Sequence, residues 1–183
     1  ISSSIAIWDR AISITTQIIT QKELQKKWLM RELLSGKATL IGFKGDWKQC
    51  YLGSVCKLVN GMAFKPEQWE TTGTPIIRIQ NLNGSSDFNY FKGEVAERCL
   101  VTDGDLLFGW SGSRGTSFGA FVWRGPTAIL NQHIFNVIPT KEVGKEFLYY
   151  LLRWLTISIE RRAHGSAGLV HVTKKQLEKE RIS

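Results

Sequence analysis

The run that comes nearest to catalysis is Gly109-Trp110-Ser111-Gly112-Ser113, one glycine short of the Gly-x-Ser-x-Gly turn that exposes a hydrolase nucleophile. Such a serine needs an imidazole and a carboxylate beside it. His133, His164 and His171, with Asp103 or Asp105, are the available groups, and their spacing ties none of them to Ser111. A tight turn between strands, with Ser hydroxyls capping backbone groups, accounts for the same run. Gly112-Ser113-Arg114-Gly115 lacks the Gly-Lys-Ser/Thr ending of a phosphate loop. Pro66, Pro75, Pro126 and Pro139 are isolated, so the Asn/Asp-Pro-Pro-aromatic segment of many adenine methyltransferases is absent. No two histidines lie four apart, and Asp103-Gly104-Asp105 is too short for a calcium loop. Cys50, Cys56 and Cys99 are odd in number and form no C-x-x-C pair. They read as small apolar side chains in a reducing cytosol. The expectation is a non-catalytic chain with no metal and no cofactor of its own.

Recognition chemistry is what remains. Between Leu106 and Thr140 there is no Asp or Glu, while Arg114 and Arg124 are present among Ser111, Ser113, Thr116, Ser117, Asn131, Gln132 and His133. Cations with amide and hydroxyl groups suit a phosphate backbone and base edges. Arg78, Gln80, Asn81 and Asn83 form a second polar group where an apolar run opens into a turn. Arg, Gln and Asn are the side chains that make two-point contacts with guanine and adenine edges. Arg161, Arg162, His164, Lys174 and Lys175 form a third group. Each group on its own is equally a solvated face or a set of capped turns.

Charge favours the polyanion. The chain has 183 residues with 24 Lys and Arg against 16 Asp and Glu, a net charge of +8. Residues 1–36 carry a balance of +2 and residues 37–183 one of +6, so the footprint belongs mainly to the second part. At 43% hydrophobic and 22% charged, the composition supports a packed core and excludes wholesale disorder. No apolar run approaches the ~20 residues of a membrane span. The N-terminus lacks the basic and apolar regions of a signal peptide, and with the unpaired cysteines a cytoplasmic location is expected. It also lacks an initiator Met, as a processed or excised piece would.

Positioning these groups requires three kinds of element. From Ile5 to Ser35 there is no Pro and no Gly. Ile5, Trp8, Ile12, Thr15, Ile19, Lys22, Lys26, Leu29 and Leu33 follow a 3,4 spacing, one seam of a long helix that Gly36 stops. About 30 residues give a rod of roughly 45 Å, whose apolar seam calls for a second helix. Residues 37–47 read as a connector anchored by Phe43 and Trp47. Short β-rich runs follow at YLGSVCKLV, TPIIRIQNL, DLLFGW, GAFVWRG and HIFNVIP. A helix returns at 146–163, with Phe147, Leu148, Leu151, Leu152 and Leu155 as its apolar face and Arg161 and Arg162 in its last turn. Thr173 is the candidate N-cap of a short final helix. The predicted class is α+β: a coiled-coil-type helix over 1–36, a connector over 37–47 and a compact mixed domain with a twisted sheet over 48–183.

These residues resemble the specificity subunit of type I restriction-modification systems, in particular one half of it. The resemblance is carried by Trp8-Asp9-Arg10-Ala11-Ile12, by Leu29-Met30-Arg31-Glu32-Leu33-Leu34-Ser35-Gly36 and by Leu40-Ile41-Gly42-Phe43. It continues through Trp47, Leu52-Gly53, Pro75-Ile76-Ile77-Arg78, Asn81-Leu82, Gly104-Asp105-Leu106-Leu107, Ser111-Gly112-Ser113, Leu130-Asn131-Gln132 and Gly165-Ser166-Ala167. The resemblance implies one target recognition domain on a conserved spacer helix. In that family two such domains each read half of a bipartite duplex DNA target. A partner methyltransferase subunit holds S-adenosylmethionine and methylates adenine, and a restriction subunit translocates and cleaves.

The chain departs from the family in having one recognition domain and one spacer region, and it stops at Ile182-Ser183. It therefore reads as an excised half whose helix has lost its mate, and a homodimer through Ile5, Trp8, Ile12, Ile19, Leu29 and Leu33 is expected. A 45 Å rod corresponds to half-sites roughly 13 base pairs apart. The residues expected at DNA are Arg78, Gln80, Asn81, Ser113, Arg114, Gln132, Arg162, His164 and Lys174. The competing readings are a helical assembly scaffold and an RNA-binding module.

Overall fold

The computed structural model describes residues 2–42, 47–162 and 169–182. It divides into two compact units, Ile1–Trp47 and Lys48–Ile182, apart from the final residue.

The first unit is the helix α1, Ser2–Leu34, 33 residues and about 50 Å long. Gly36 follows it at φ 71°, the left-handed conformation that ends helices. The Gly36 amide donates to the Leu33 carbonyl at 3.2 Å, and a Cβ at Gly36 would lie 3.0 Å from the Trp47 ring. Trp47 thus anchors the connector as expected, while Phe43 lies outside the described residues. The seam residues Ile5, Trp8, Ile12, Ile19 and Leu29 are all exposed, and Leu33 is half-buried. Ile7, Ile14 and Ile18 are exposed as well. At roughly 100° per residue they form a second apolar row about 120° round the helix from the first, so α1 carries two exposed apolar stripes.

The second unit is built from short strands and turns. In chain order these are β1 (Cys50–Tyr51), α2 (Leu52–Val55), β2 (Cys56–Asn60), β3 (Thr74–Ile77), α3 (Ile79–Leu82), β4 (Asn89–Phe91), β5 (Leu100–Val101) and β6 (Leu106–Gly109). After them come β7 (Ser111–Ser113), β8 (Gly119–Val122), β9 (Ala128–Leu130), β10 (Ile134–Pro139), α4 (Lys145–Arg162), β11 (Leu169–His171), α5 (Lys174–Glu178) and β12 (Arg181–Ile182). One four-stranded sheet, in the order β2-β10-β6-β8, is antiparallel throughout. The other, β4-β3-β9-β5, contains the parallel pair β3 and β9. Two-stranded ribbons pair β7 with β11 and β1 with β12.

The apolar run Leu106–Phe108 is fully buried, as a continuous rather than alternating strand pattern requires. Ile77, Val101, Leu107, Trp123, Ala128, Leu130 and Ile134 form one core cluster drawn from both four-stranded sheets. The α4 helix lies on β8, with Leu148, Leu151, Leu152, Leu155 and Ile159 buried. Phe147, expected on that face, is instead 37% exposed. Its place one residue before Leu148 turns it off the stripe, and Ile159 extends the stripe at the other end. Two expected strands are also interrupted. YLGSVCKLV contains the helical turn α2, and TPIIRIQNL leaves β structure at Arg78 to enter α3. Thr173 caps α5 as expected: its hydroxyl accepts from the Gln176 amide, and the Gln176 side chain accepts from the Thr173 amide at 2.9 Å. No helix among the described residues is long and apolar enough to cross a membrane.

Candidate nucleic-acid interface

Parallel strands end on the same side of a sheet, and this brings distant polar segments together. Ile77 at the end of β3 is in register with Leu130 at the end of β9. The next residues therefore leave side by side: the Asn131 amide donates to the Ile77 carbonyl at 3.0 Å. On the other side, the Trp110 amide donates to the His133 carbonyl at 3.1 Å, and the Val172 amide donates to the Trp110 carbonyl at 3.0 Å. Four stretches, 77–80, 110–113, 131–133 and 171–174, are thus stitched into one edge. A groove outside strand carboxyl ends is where open sheets commonly place ligands.

Within this edge, Arg78 is half-buried. Its guanidinium lies 4.6 Å from the centre of the Trp69 ring and donates to Asn89 Oδ1 at 2.7 Å. Gln80 is half-buried and its amide donates to the Asp87 carbonyl at 3.4 Å. Asn81 departs from the expectation. It is 8% exposed; Oδ1 accepts from the Arg78 amide at 2.9 Å, and Nδ2 donates to the carbonyls of Ser85 at 3.1 Å and Asp87 at 2.8 Å. Its amide closes the turn that carries Arg78 and Gln80 and presents no base-reading edge.

Ser113, the last residue of β7, and Arg114, in the turn that leads to β8, are exposed. The Ser113 amide donates to Ser117 Oγ at 2.8 Å, and its carbonyl accepts from the amides of Thr116, Ser117 and Phe118 at 3.2–3.3 Å. Ser117 is buried inside this turn, and its hydroxyl caps a backbone group. The Gly115 amide donates to Glu160 Oε1 at 2.9 Å, tying the turn to α4. The stretch without acids in sequence therefore has acids beside it in space: Glu160 here, and Asp103 at 3.3 Å from Arg124.

Gln132 is exposed, with its side chain 3.4 Å from His133 Nε2. Lys174 is exposed at the start of α5 and lies 3.7 Å from Glu178 one turn on. Arg162 is set apart from the edge by its partners: it pairs with Glu180 at 2.7 Å and donates to the Ser158 carbonyl at 3.2 Å. That geometry fastens the end of α4 to the segment after α5 and leaves its charge compensated. His164 lies outside the described residues. Among the described residues, no group of three or more His, Cys, Asp and Glu is arranged to hold a metal ion. The Cys56 thiol is pushed up to about 12 by burial, with the Glu178 charge adding to it, and is an inert core group.

Sequence reasoning missed Trp110. Its ring stacks with Phe135 at 5.8 Å and touches His133 at 5.2 Å and His171 at 4.9 Å, and its Nε1 donates to the Gln132 carbonyl at 3.0 Å. The available signal was an aromatic residue at the end of an apolar run, immediately before a Ser-Gly-Ser turn.

The fold, a long helix followed by a compact α+β unit, is shared with solved specificity subunits. The chain superposes on the HsdS subunit from Thermoanaerobacter tengcongensis with a TM-score of 0.63 at 16% identity, covering 94% of this chain and 42% of that one. Against the type I restriction-modification S subunit from M. genitalium the TM-score is 0.56 at 16% identity, covering 81% and 37%. In sequence, residues 44–183 match the type I restriction modification DNA specificity domain, and the chain belongs to that family. It is 26% identical over 155 residues to the specificity subunit of the Escherichia coli type I restriction enzyme EcoBI, a match covering 83% of this chain and 31% of that protein. The chain thus spans about a third of that relative's length and under half of those solved chains.

Proposed function

We propose that this chain reads one half of a bipartite duplex DNA target on behalf of a type I restriction-modification complex. The observation that carries the reading is the convergence of residues 77–80, 110–113, 131–133 and 171–174 on one edge of a basic unit. Arg78, Gln80, Ser113, Arg114, Gln132 and Lys174 lie on or beside that edge, and the amphoteric groups among them suit base edges. Asn81 holds the edge in shape. Arg162 contributes through the fold, since its charge is already compensated by Glu180. The chain itself does no chemistry in this reading. A cytoplasmic methyltransferase subunit supplies S-adenosylmethionine and adenine methylation, and a restriction subunit supplies translocation and cleavage. The exposed apolar face of α1 supports pairing with a second helix, such as that of another copy.

The test is co-purification with the candidate methyltransferase followed by mapping of methylated adenines. A stable complex with one half-site common to all modified positions is the expected result. Complex formation with no sequence preference in the modified adenines favours the assembly scaffold and overturns the recognition role. DNA affinity measured between 50 and 200 mM salt is expected to fall steeply, because each neutralised phosphate releases counterions.

A further inference from the structure

We propose that His133 and Gln132, locked by Trp110, form a purine-reading pair in which the His133 Nε2 proton meets a purine N7 in the DNA major groove. This rests on the DNA-recognition reading above and assigns a specific base contact within it.

The argument begins with an unpaired atom. His133 Nδ1 is buried and has no hydrogen-bond partner in the structure. A buried N–H without an acceptor is rarer in folded proteins than an acceptor without a donor. With the proton on Nε2, the nitrogen 3.4 Å from the Gln132 amide, the buried Nδ1 is a bare acceptor instead of an orphaned N–H, and this is the tautomer the proposal takes. Gln132 Nε2 stands at 3.4 Å from that nitrogen, and exchanging the two ends of the amide, which only hydrogen bonds tell apart, turns its oxygen towards the proton. A 3.4 Å contact is long for a hydrogen bond, so the proton is available to a better acceptor.

The surroundings favour a base over a phosphate. Gln132 is neutral and offers both a donor and an acceptor. Its amide serves guanine O6 as donor or adenine N6 as acceptor, while N7 is common to both purines.

Trp110 makes the pair rigid. Its amide holds the His133 carbonyl, its Nε1 holds the Gln132 carbonyl, and its ring packs on the His133 ring at 5.2 Å. His171 packs edge-on with the same indole at 4.9 Å, and Phe135 stacks on it at 5.8 Å. Base-reading groups need this kind of fixed support, because a loose side chain loses discrimination in ordering itself. Trp110 is thus a positioning residue.

The experiment uses the full chain. Its preferred duplex is selected from a random library, and each purine of that duplex is then replaced singly by its 7-deaza analogue. For the unaltered chain, one position is expected to cost about tenfold in affinity, as a base-edge contact of this type does. In His133→Phe, which keeps a ring against Trp110 but removes both nitrogens, the natural duplex is weakened by the same factor and the deaza penalty at that position vanishes. Trp110→Phe keeps an aromatic ring but removes the Nε1 donor, and is expected to shrink the natural-to-deaza ratio while binding to unrelated duplex is retained. Three results overturn the proposal. The first is a deaza penalty that survives unchanged in His133→Phe. If that variant fails to fold, a Trp110→Phe ratio equal to that of the unaltered chain has the same force. The third is a uniform loss across all sequences with a reduced salt slope, which marks a phosphate contact. Failure of the unaltered chain to select any duplex overturns DNA recognition itself, and the base contact with it.

Discussion

Asn81 offers a test of which polar residues build the strand-end edge and which, under the proposed reading, contact DNA. Replacing it with Ala removes three hydrogen bonds: one from the Arg78 amide and two to the carbonyls of Ser85 and Asp87. At about 1 kcal/mol net for each, the ceiling is near 3 kcal/mol. The turn carrying the two carbonyls is partly open, so water replaces some of what they lose, and the expected cost is about 2 kcal/mol. For a unit of this size, that lowers the melting temperature by about 6–10 °C. The assay is urea unfolding followed by circular dichroism, with an unchanged m-value marking a loss of stability alone. Asn81→Asp sharpens the test. It keeps the acceptor for Arg78 but points a carboxylate oxygen at two carbonyls, so it is expected to be worse than Ala at neutral pH. Those carbonyls raise the folded pKa of that carboxyl above its unfolded value of ~3.9. The defect is therefore largest above the folded pKa and narrows as pH falls through it, when the protonated group regains a donor. Asn81→Ala within 0.5 kcal/mol of the parent, with DNA affinity lost, would refute this reasoning and return Asn81 to the base-reading group.

Three further outcomes follow from the structure. Thr173→Ala removes the capping hydroxyl of α5 and should cost about 1 kcal/mol in the same unfolding assay, whereas Thr173→Ser should be nearly silent. The chain should self-associate at high micromolar concentration in equilibrium sedimentation, and Ile12→Lys with Ile19→Lys should abolish this; a parent that stays strictly monomeric rules out helix pairing between copies. Cys56 should resist iodoacetamide at pH 8 in the folded chain while the half-buried Cys50 reacts. Because burial pushes the folded thiol up to about 12 from its ordinary value of 9.0, its stabilising contribution is full below pH 9 and is lost as pH rises towards 12.

The elements legible in the sequence are those set by local rules. The long helix and its Gly36 stop, the α4 stripe and the Thr173 cap all depend on residues within a few positions of one another, where periodicity and capping chemistry act. The recognition edge depends on the pairing of β3 with β9, residues more than fifty positions apart, and no local pattern announces a parallel pair. The same distance hides Glu160 and Asp103 beside a stretch that carries no acid of its own. Asn81 illustrates a different loss. An amide that reads a base and an amide that ties a turn are the same residue type on the same kind of loop, and only burial tells them apart. Trp110 was hidden by its position at the end of an apolar run, where an aromatic residue is ordinarily core.

The first and last strands of the second unit pair with each other, Cys50 with Ile182 and Tyr51 with Arg181, and the Leu52 amide reaches the Glu180 carbonyl at 2.9 Å. The polypeptide thus enters and leaves this unit through a single doorway. Whatever is attached at either end sees the same short ribbon, however the interior loops are rewritten. A unit whose two ends lie side by side in this way tolerates insertion into another chain or circular permutation, because neither disturbs the frame between them.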